Sequence, residues 1–303
     1  MNNKIKIFTA NNQQLASDIA QKLGLELGRI ELTNFQDGEV RCRLLESVRG
    51  QQVFIIQSIC RPVNDNLMTV MIMADALKRA GAKTIHAIIP YLGYCRQDRM
   101  AEARTPISAK VVAKMLSNSG IDQITTMELH ASQIQGFFDI TVDNLYTSQV
   151  FADYIHQNYD NFMIASPDVG GAARARQFAN LLGCGKIAIV DKHRPRANQS
   201  EVMNVIGDVK GKNVIIFDDI IDTAGTISKA STALKQLGAL RVVAVASHAV
   251  LSGLAYENIK NSDLDEVVVS DSIPLTQTCD KIKVISASDL LATAINRFFV
   301  KNN

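Results

Sequence analysis

Two adjacent carboxylates, Asp218 and Asp219, follow the apolar run Val214 to Phe217 and precede the loop Asp222-Thr223-Ala224-Gly225-Thr226. The chemistry open to such a segment is the binding of a phosphate and of the hydroxyls or metal beside it. The apolar run reads as a buried strand and Ile227 to Leu237 as a helix, so the loop sits at a helix N-terminus. The first N–H groups of a helix have no partner within it, and the helix dipole favours an anion there. Gly225 lets backbone approach a phosphate closely, and Thr223 and Thr226 add hydroxyl donors. Asp218 and Asp219 stand at the carboxyl end of a strand, where open α/β sheets bind their ligands. A capped helix start is the plainer account of Asp-Thr-x-Gly alone. Two neighbouring carboxylates repel, however, and a strand ending in both points to a ligand.

Five other segments have residue types that could do chemistry, each with a plainer alternative. Phe35, Asp37, Gly38 and Glu39 put an aromatic ring and two acids around a glycine turn, which on its own terms is a hairpin turn with solvated charges. Arg96, Gln97, Asp98 and Arg99 place two guanidiniums after a strand ending at Pro90. The planar fork of arginine suits phosphate, but a surface salt-bridge patch would look the same. His130 follows a strand through Ile124 to Met127, and Asp168 precedes a helix beginning near Gly171. Either could ligate a metal; the first could equally be a satisfied structural histidine and the second a helix cap. Lys192, Arg194 and Arg196 set three cations in five positions after the strand Ile187 to Val190, either an exposed basic turn or an anion clamp.

The elements that must position these residues alternate as apolar strand, turn and amphipathic helix. Leu15, Ile19 and Leu23 share a helical face, with Gly24 placed to cap it. Val53 to Ile56 and Ile85 to Ile89 read as buried strands around a helix from about Asp65 to Ala80, stopped by Gly81. Pro106 opens a helix through Val111, Val112 and Leu116. In the second half Phe162 to Ala165, Ile187 to Val190, Val214 to Phe217 and Val242 to Val245 read as strands. This rhythm predicts parallel sheets covered on both faces. Gly38 to Glu46 is the exception, its period of two predicting an antiparallel hairpin with one wet face. No low-complexity linker divides the chain; the boundary is expected near Asn144 to Thr147, and a last helix, Ala287 to Phe299, could pack on either half.

Composition narrows the classes. A length of 303 residues leaves room for two domains, and 47% hydrophobic with 20% charged residues excludes a disordered chain, a coiled coil and a disulfide scaffold. The net charge of +2, from 32 Lys+Arg against 30 Asp+Glu, leaves no electrostatic footprint for nucleic acid. Apolar runs fall short of the ~18–20 residues that span a bilayer, and the first residues lack a signal-peptide core. Five scattered cysteines without a CxxC pair predict a soluble chain in the reducing cytoplasm. Neither GxxxxGK[ST] nor GxGxxG occurs, so a nucleotide must be held by other means.

FDDIIDTAGT resembles the phosphoribosyl diphosphate fingerprint shared by type I phosphoribosyltransferases and ribose-phosphate diphosphokinases. NFQDGE, PYLGYCRQDR, TPISAK, ELHASQIQGFFD, SPDVGG, DKHRPR and SHAVLSG occur in the diphosphokinase order over nearly the whole length, so the chain resembles that family. The resemblance implies an α/β fold of two type I phosphoribosyltransferase-like domains, each a mainly parallel sheet flanked by helices. Residues 1–145 would be the ATP side, with a C-terminal helix at 287–303 packing back on it, and 146–286 the ribose 5-phosphate side.

The implied reaction moves the diphosphoryl group of ATP to the anomeric hydroxyl of ribose 5-phosphate, giving AMP and 5-phosphoribosyl 1-diphosphate. Resemblance assigns Phe35, Asp37, Gly38, Glu39, Arg96, Gln97, Asp98 and Arg99 to ATP, the first group reaching the adenine held by a neighbouring subunit. His130 and Asp168 would hold Mg²⁺ on the ATP phosphates; Lys192 and Arg194 would stabilise the transition state. Asp222, Thr223, Ala224, Gly225 and Thr226 would take the 5-phosphate, and Asp218 and Asp219 the ribose hydroxyls and a second metal. Ser47 and Arg49 match positions of regulation by phosphate and ADP, and the family's usual assembly is a homohexamer. Three departures stand out: Glu128 where the family commonly has Asp, His193 for the middle arginine of a basic triplet, and Met100 and Glu102 in a usually more basic loop. The last implies a higher Michaelis constant for ATP. A phosphoribosyltransferase, which needs no ATP segments, and a non-catalytic regulatory paralogue, which would have lost metal or catalytic residues, are the rival readings.

Overall fold

The computed structural model describes residues 5–193 and 202–300. The chain forms two compact units, Met1–Tyr146 with Ala287–Asn303, and Thr147–Ser286. The first contains β1 (Ile5–Thr9), α1 (Gln13–Lys22), β2 (Ile30–Asn34), β3 (Val40–Leu44), β4 (Gln52–Ile56) and α2 (Val63–Arg79). It continues with β5 (Thr84–Ile89), α3 (Ser108–Ser117), β6 (Gln123–Met127) and β7 (Thr141–Leu145). The second contains α4 (Ser148–Asn158), β8 (Phe162–Ser166), α5 (Ala172–Leu181), β9 (Ile187–His193), β10 (Val202–Ile206) and β11 (Asn213–Ile221). After these come α6 (Gly225–Gln236), β12 (Arg241–Ala249), α7 (Ala255–Asn261), β13 (Glu266–Ser270) and β14 (Ile282–Ile285); α8 (Ser288–Val300) belongs to the first unit.

Among the described residues the first unit has a five-stranded parallel sheet, ordered β1-β4-β5-β6-β7, and the β2–β3 hairpin. The run Val53 to Ile56 shows why a continuous apolar strand needs two covering layers. Val53 and Ile55 pack with Leu67 and Val70 of α2 and Leu116 of α3, whereas Phe54 and Ile56 pack with Leu15 and Ile19 of α1 and Leu291 and Ile295 of α8. Helix α1 ends where Gly24, at φ +66°, lets the Gly24 and Leu25 amides return to the Gln21 and Ala20 carbonyls at 3.0 and 2.9 Å. The hairpin has the expected alternation, with Arg41 and Arg43 exposed and Val40, Cys42 and Leu44 half-buried.

The second unit has a seven-stranded sheet ordered β10-β9-β8-β11-β12-β13-β14, parallel except for β10 against β9. Ile215 and Phe217 face α4 and α5; Val214 and Ile216 face α6. Both units are therefore mainly parallel sheets flanked by helices.

Three boundaries differ from expectation. Strand β11 does not end at Asp218 but runs to Ile221, because its parallel pairing with β12 continues from Asp218 opposite Ala246 to Ile221 opposite Ala249. Strand β9 runs past Val190 to His193, because β10 pairs with it through Met203 opposite Lys192. Pro106 lies outside α3, which starts at Ser108. The Gln97 side chain and carbonyl take the Ser108 hydroxyl and Ala109 amide at 2.7 and 3.1 Å, and Ile107 stays non-helical at φ −102° and ψ 82°. Among the described residues no helix is long and apolar enough to cross a membrane, and the five cysteines are free thiols.

Candidate active site

In the second unit, strand order gathers the candidate residues. The chain passes from β8 to β9 on one side and then returns to β11 on the other. Phe178 of α5, which follows β8, packs on one face, and Ile227 of α6, which follows β11, on the other. A crevice opens at the carboxyl ends of strands where the order reverses in this way. Asp168 follows β8, Lys192 lies at the end of β9, and Asp218 to Thr226 run from the end of β11 into α6. The topology thus brings all of these to the carboxyl ends of three neighbouring strands.

The loop entering α6 is braced from outside its own segment. Ser252, after β12, donates its hydroxyl to Asp222 Oδ1 and its amide to the Asp222 carbonyl at 3.1 Å. Asn258 of α7 donates its side-chain amide to the Thr223 carbonyl at 2.8 Å, and its own carbonyl accepts from Ser228 Oγ at 3.2 Å. Ala224, not Gly225, takes the left-handed backbone, at φ 59°. A Cβ on Gly225 would meet only Thr223 Oγ1, at 3.8 Å, so what this glycine supplies is clear space before the helix end.

The paired carboxylates share one cation. Arg174 Nη1 donates to Asp218 Oδ1 at 2.9 Å and to Asp219 Oδ1 at 2.8 Å, and the Asp219 amide donates to Asp218 Oδ1 at 2.9 Å. Asp219 is buried. Burial and the neighbouring Asp219 charge push the Asp218 carboxyl above the ordinary range, against the pull of Arg174. Local sequence assigns no role to Arg174 or Asn258, and Ser252 is visible there only as part of the SHAVLSG segment.

Asp168 sits in the turn before α5, whose N-cap is Gly171: its Oδ1 accepts from the Gly171 amide at 2.8 Å, while its carbonyl accepts from Ser166 Oγ at 2.7 Å. The turn admits no side chain at Gly171, where a Cβ would lie 2.8 Å from Ser166 Oγ. The Lys192 backbone is held in β9; its side chain and all of Arg194 lie outside the described residues.

In the first unit, residues 96–99 follow β5 and His130 follows the adjacent strand β6, again at carboxyl ends. Asp98 Oδ2 accepts from Gln133 at 3.3 Å, tying the arginine segment to the turn after His130. Arg96, Gln97, Arg99 and His130 are exposed. At the hairpin tip Phe35 is 52% exposed, Gly38 takes φ +94°, and Asp37 Oδ1 accepts from the Glu39 amide at 3.1 Å. Ser47 and Arg49 precede β4 and so lie at the amino ends of the strands, away from residues 96–99 and His130.

In the second unit Asp168, Asp218, Asp219 and Asp222 offer oxygen, which suits a hard divalent cation such as Mg²⁺; in the first unit His130 offers a single imidazole. Among the described residues no three His, Cys, Asp or Glu side chains converge on a metal position. Such a cation would be held by one or two side chains together with substrate phosphates and water, the usual manner for Mg²⁺.

A loop opening a helix beside paired carboxylates, at the switch point of a mainly parallel sheet flanked by helices, is the arrangement of the type I phosphoribosyltransferase-like class. A family model of the N-terminal domain of ribose phosphate pyrophosphokinase matches residues 5–120, and one of the phosphoribosyl synthetase-associated domain matches residues 188–303. The ribose-phosphate pyrophosphokinase of Campylobacter jejuni is 55% identical over 97% of this chain and 96% of its own. That of Helicobacter pylori is 54% identical over 97% of this chain and 93% of its own. The crystal structure of phosphoribosylpyrophosphate synthetase from Mycobacterium smegmatis is 37% identical, with a TM-score of 0.93, covering 99% of this chain and 100% of that one. The chain belongs to the ribose-phosphate pyrophosphokinase family.

Proposed function

We propose that this chain transfers the diphosphoryl group of ATP to ribose 5-phosphate, yielding AMP and 5-phosphoribosyl 1-diphosphate. The observation that carries the reading is the braced loop Asp222 to Thr226 opening α6 beside Asp218 and Asp219. Its first-turn amides and the Thr223 and Thr226 hydroxyls take the 5-phosphate, and the two carboxylates accept from the ribose hydroxyls. The anomeric oxygen attacks the β-phosphorus, and AMP leaves. Holding both substrates in line lowers the barrier without a protein nucleophile.

Lys192 and Arg194 neutralise the charge that develops on the transferring group. Arg96, Gln97, Asp98 and Arg99 hold ATP. Phe35 at the exposed hairpin tip, with Asp37, Gly38 and Glu39, serves the adenine of a neighbouring copy in a homohexamer. His130 and Asp168 hold Mg²⁺, which when bound offsets phosphate charge. Ser47 and Arg49, at the opposite strand ends, form a regulatory anion site. The working compartment is the cytoplasm.

Purified protein is incubated with Mg-ATP, phosphate and ribose 5-phosphate, and AMP is resolved from ADP. Ribose-dependent AMP matched by 5-phosphoribosyl 1-diphosphate is the expected result. Ribose-dependent ADP would make the chain an ordinary kinase, and no nucleotide turnover would move it to the transferase or regulatory reading.

A further inference from the structure

We infer that Arg174 is a positioning residue for ribose 5-phosphate, acting through Asp218 and Asp219; this rests on the ribose site proposed above. Helix α5 follows β8 and the carboxylates lie in the last part of the neighbouring strand β11, so Arg174 reaches from one side of the switch point to the other. A single guanidinium nitrogen, Nη1, bonds Oδ1 of both acids, at 2.9 and 2.8 Å. Successive side chains of a regular strand point to opposite faces, so two neighbours seldom share one partner. Here the shared cation holds both carboxylates at one place.

The start of α5 is itself fixed. Asp168 Oδ1 bonds the Gly171 amide at 2.8 Å, and the tight approach of Gly171 to Ser166 leaves no room for a side chain. Arg174 is therefore presented from a rigid first turn, three residues beyond Gly171. Its side chain is 20% exposed and Asp219's 4%, so the contact is shielded from competing water. Carboxylate oxygens held at one place can both accept from a vicinal diol.

Removal of the guanidinium lets the two carboxylates repel and turn apart, which weakens the sugar contact and leaves the ATP segments of the first unit untouched. Arg174→Met, which keeps the apolar stem, is expected to raise KM for ribose 5-phosphate about 10- to 100-fold, with KM for ATP within about threefold. Arg174→Lys keeps a charge but not the fork, and is expected to recover part of that loss. Arg176→Met, on the exposed side of the same helix, is the charge-matched control and should behave as wild type.

Calorimetric titration of ribose 5-phosphate into the ATP-free protein should show the same order of affinities: wild type and Arg176→Met, then Arg174→Lys, then Arg174→Met. If Arg174→Met does not fold, the lysine variant decides through the same two measurements. Unchanged sugar affinity in the Arg174 variants, or KM values for ATP and ribose 5-phosphate rising together, would overturn the inference. Failure of the wild type to make AMP from ribose 5-phosphate would instead strike the underlying reading.

Discussion

Ser252 donates its hydroxyl to Asp222 Oδ1 and its amide to the Asp222 carbonyl, so one residue after β12 fixes both the side chain and the backbone where the proposed phosphate loop begins. A carboxylate turned freely into a phosphate cradle would repel the ligand; the serine keeps it turned to a donor. Ser252→Ala is expected to raise KM for ribose 5-phosphate about tenfold, the scale of a lost hydrogen bond to a charged group, with KM for ATP little changed. Steady-state kinetics with each substrate varied in turn checks it.

Asp168 holds the turn before α5 by accepting from the Gly171 amide and is proposed to hold a metal, and two substitutions separate these roles. The asparagine side-chain oxygen can accept from the same amide but lacks the charge a divalent cation needs. Asp168→Asn should keep the melting temperature within about 2 °C, lower kcat at least about tenfold and raise the half-saturating Mg²⁺ concentration. Asp168→Ala should lose about 1 kcal/mol of stability as well. Thermal melts alongside a Mg²⁺ titration of activity decide; unaltered metal dependence in the asparagine variant would leave Asp168 with the turn alone.

Lys192 stands at the end of β9, paired through its backbone with Met203. Its proposed task is met only as charge develops on the transferring group. Lys192→Ala should therefore reduce kcat by about 10²–10³-fold, with modest change in ATP affinity. Near-normal turnover would remove Lys192 from the mechanism.

His86 makes stability depend on pH. Its ring is buried, 5.0 Å from Phe54 and 4.5 Å from Phe298 of α8, and Nδ1 has no hydrogen-bond partner among the described residues. Burial holds its pKa below the ordinary 6.5, although Asp122 and Asp143 pull it upward. The folded chain thus keeps His86 neutral where an unfolded chain takes up a proton. Its contribution is complete above about pH 6.5 and is lost as the pH falls below that, at up to about 1.4 kcal/mol per pH unit. Urea unfolding at pH 7.5 and 5.5 should show a smaller drop for His86→Leu than for wild type.

The local sequence was sufficient for the covered strands and for the loop that opens α6. Val53 to Ile56 and Val214 to Phe217 are apolar at every position, and such runs can be satisfied only between two layers of helices, as found. Asp218 to Thr226 carries its donors, acceptors and glycine within a few residues, so its chemistry could be read before its surroundings were known. Strand lengths could not. Strand β9 reaches His193 because β10 pairs with it, and β11 runs through its two aspartates because β12 continues beside it. Hydrogen bonds to a neighbouring strand, rather than hydropathy, set where each one ends. The braces of the site were also illegible: Arg174 lies 44 residues from Asp218, Ser252 lies 30 from Asp222, and Asn258 lies 35 from Thr223. A periodic pattern tells which face of an element is apolar. Only the order of strands in the sheet decides which distant side chains meet at their ends, and here it set β8 next to β11 and so brought one arginine onto two carboxylates.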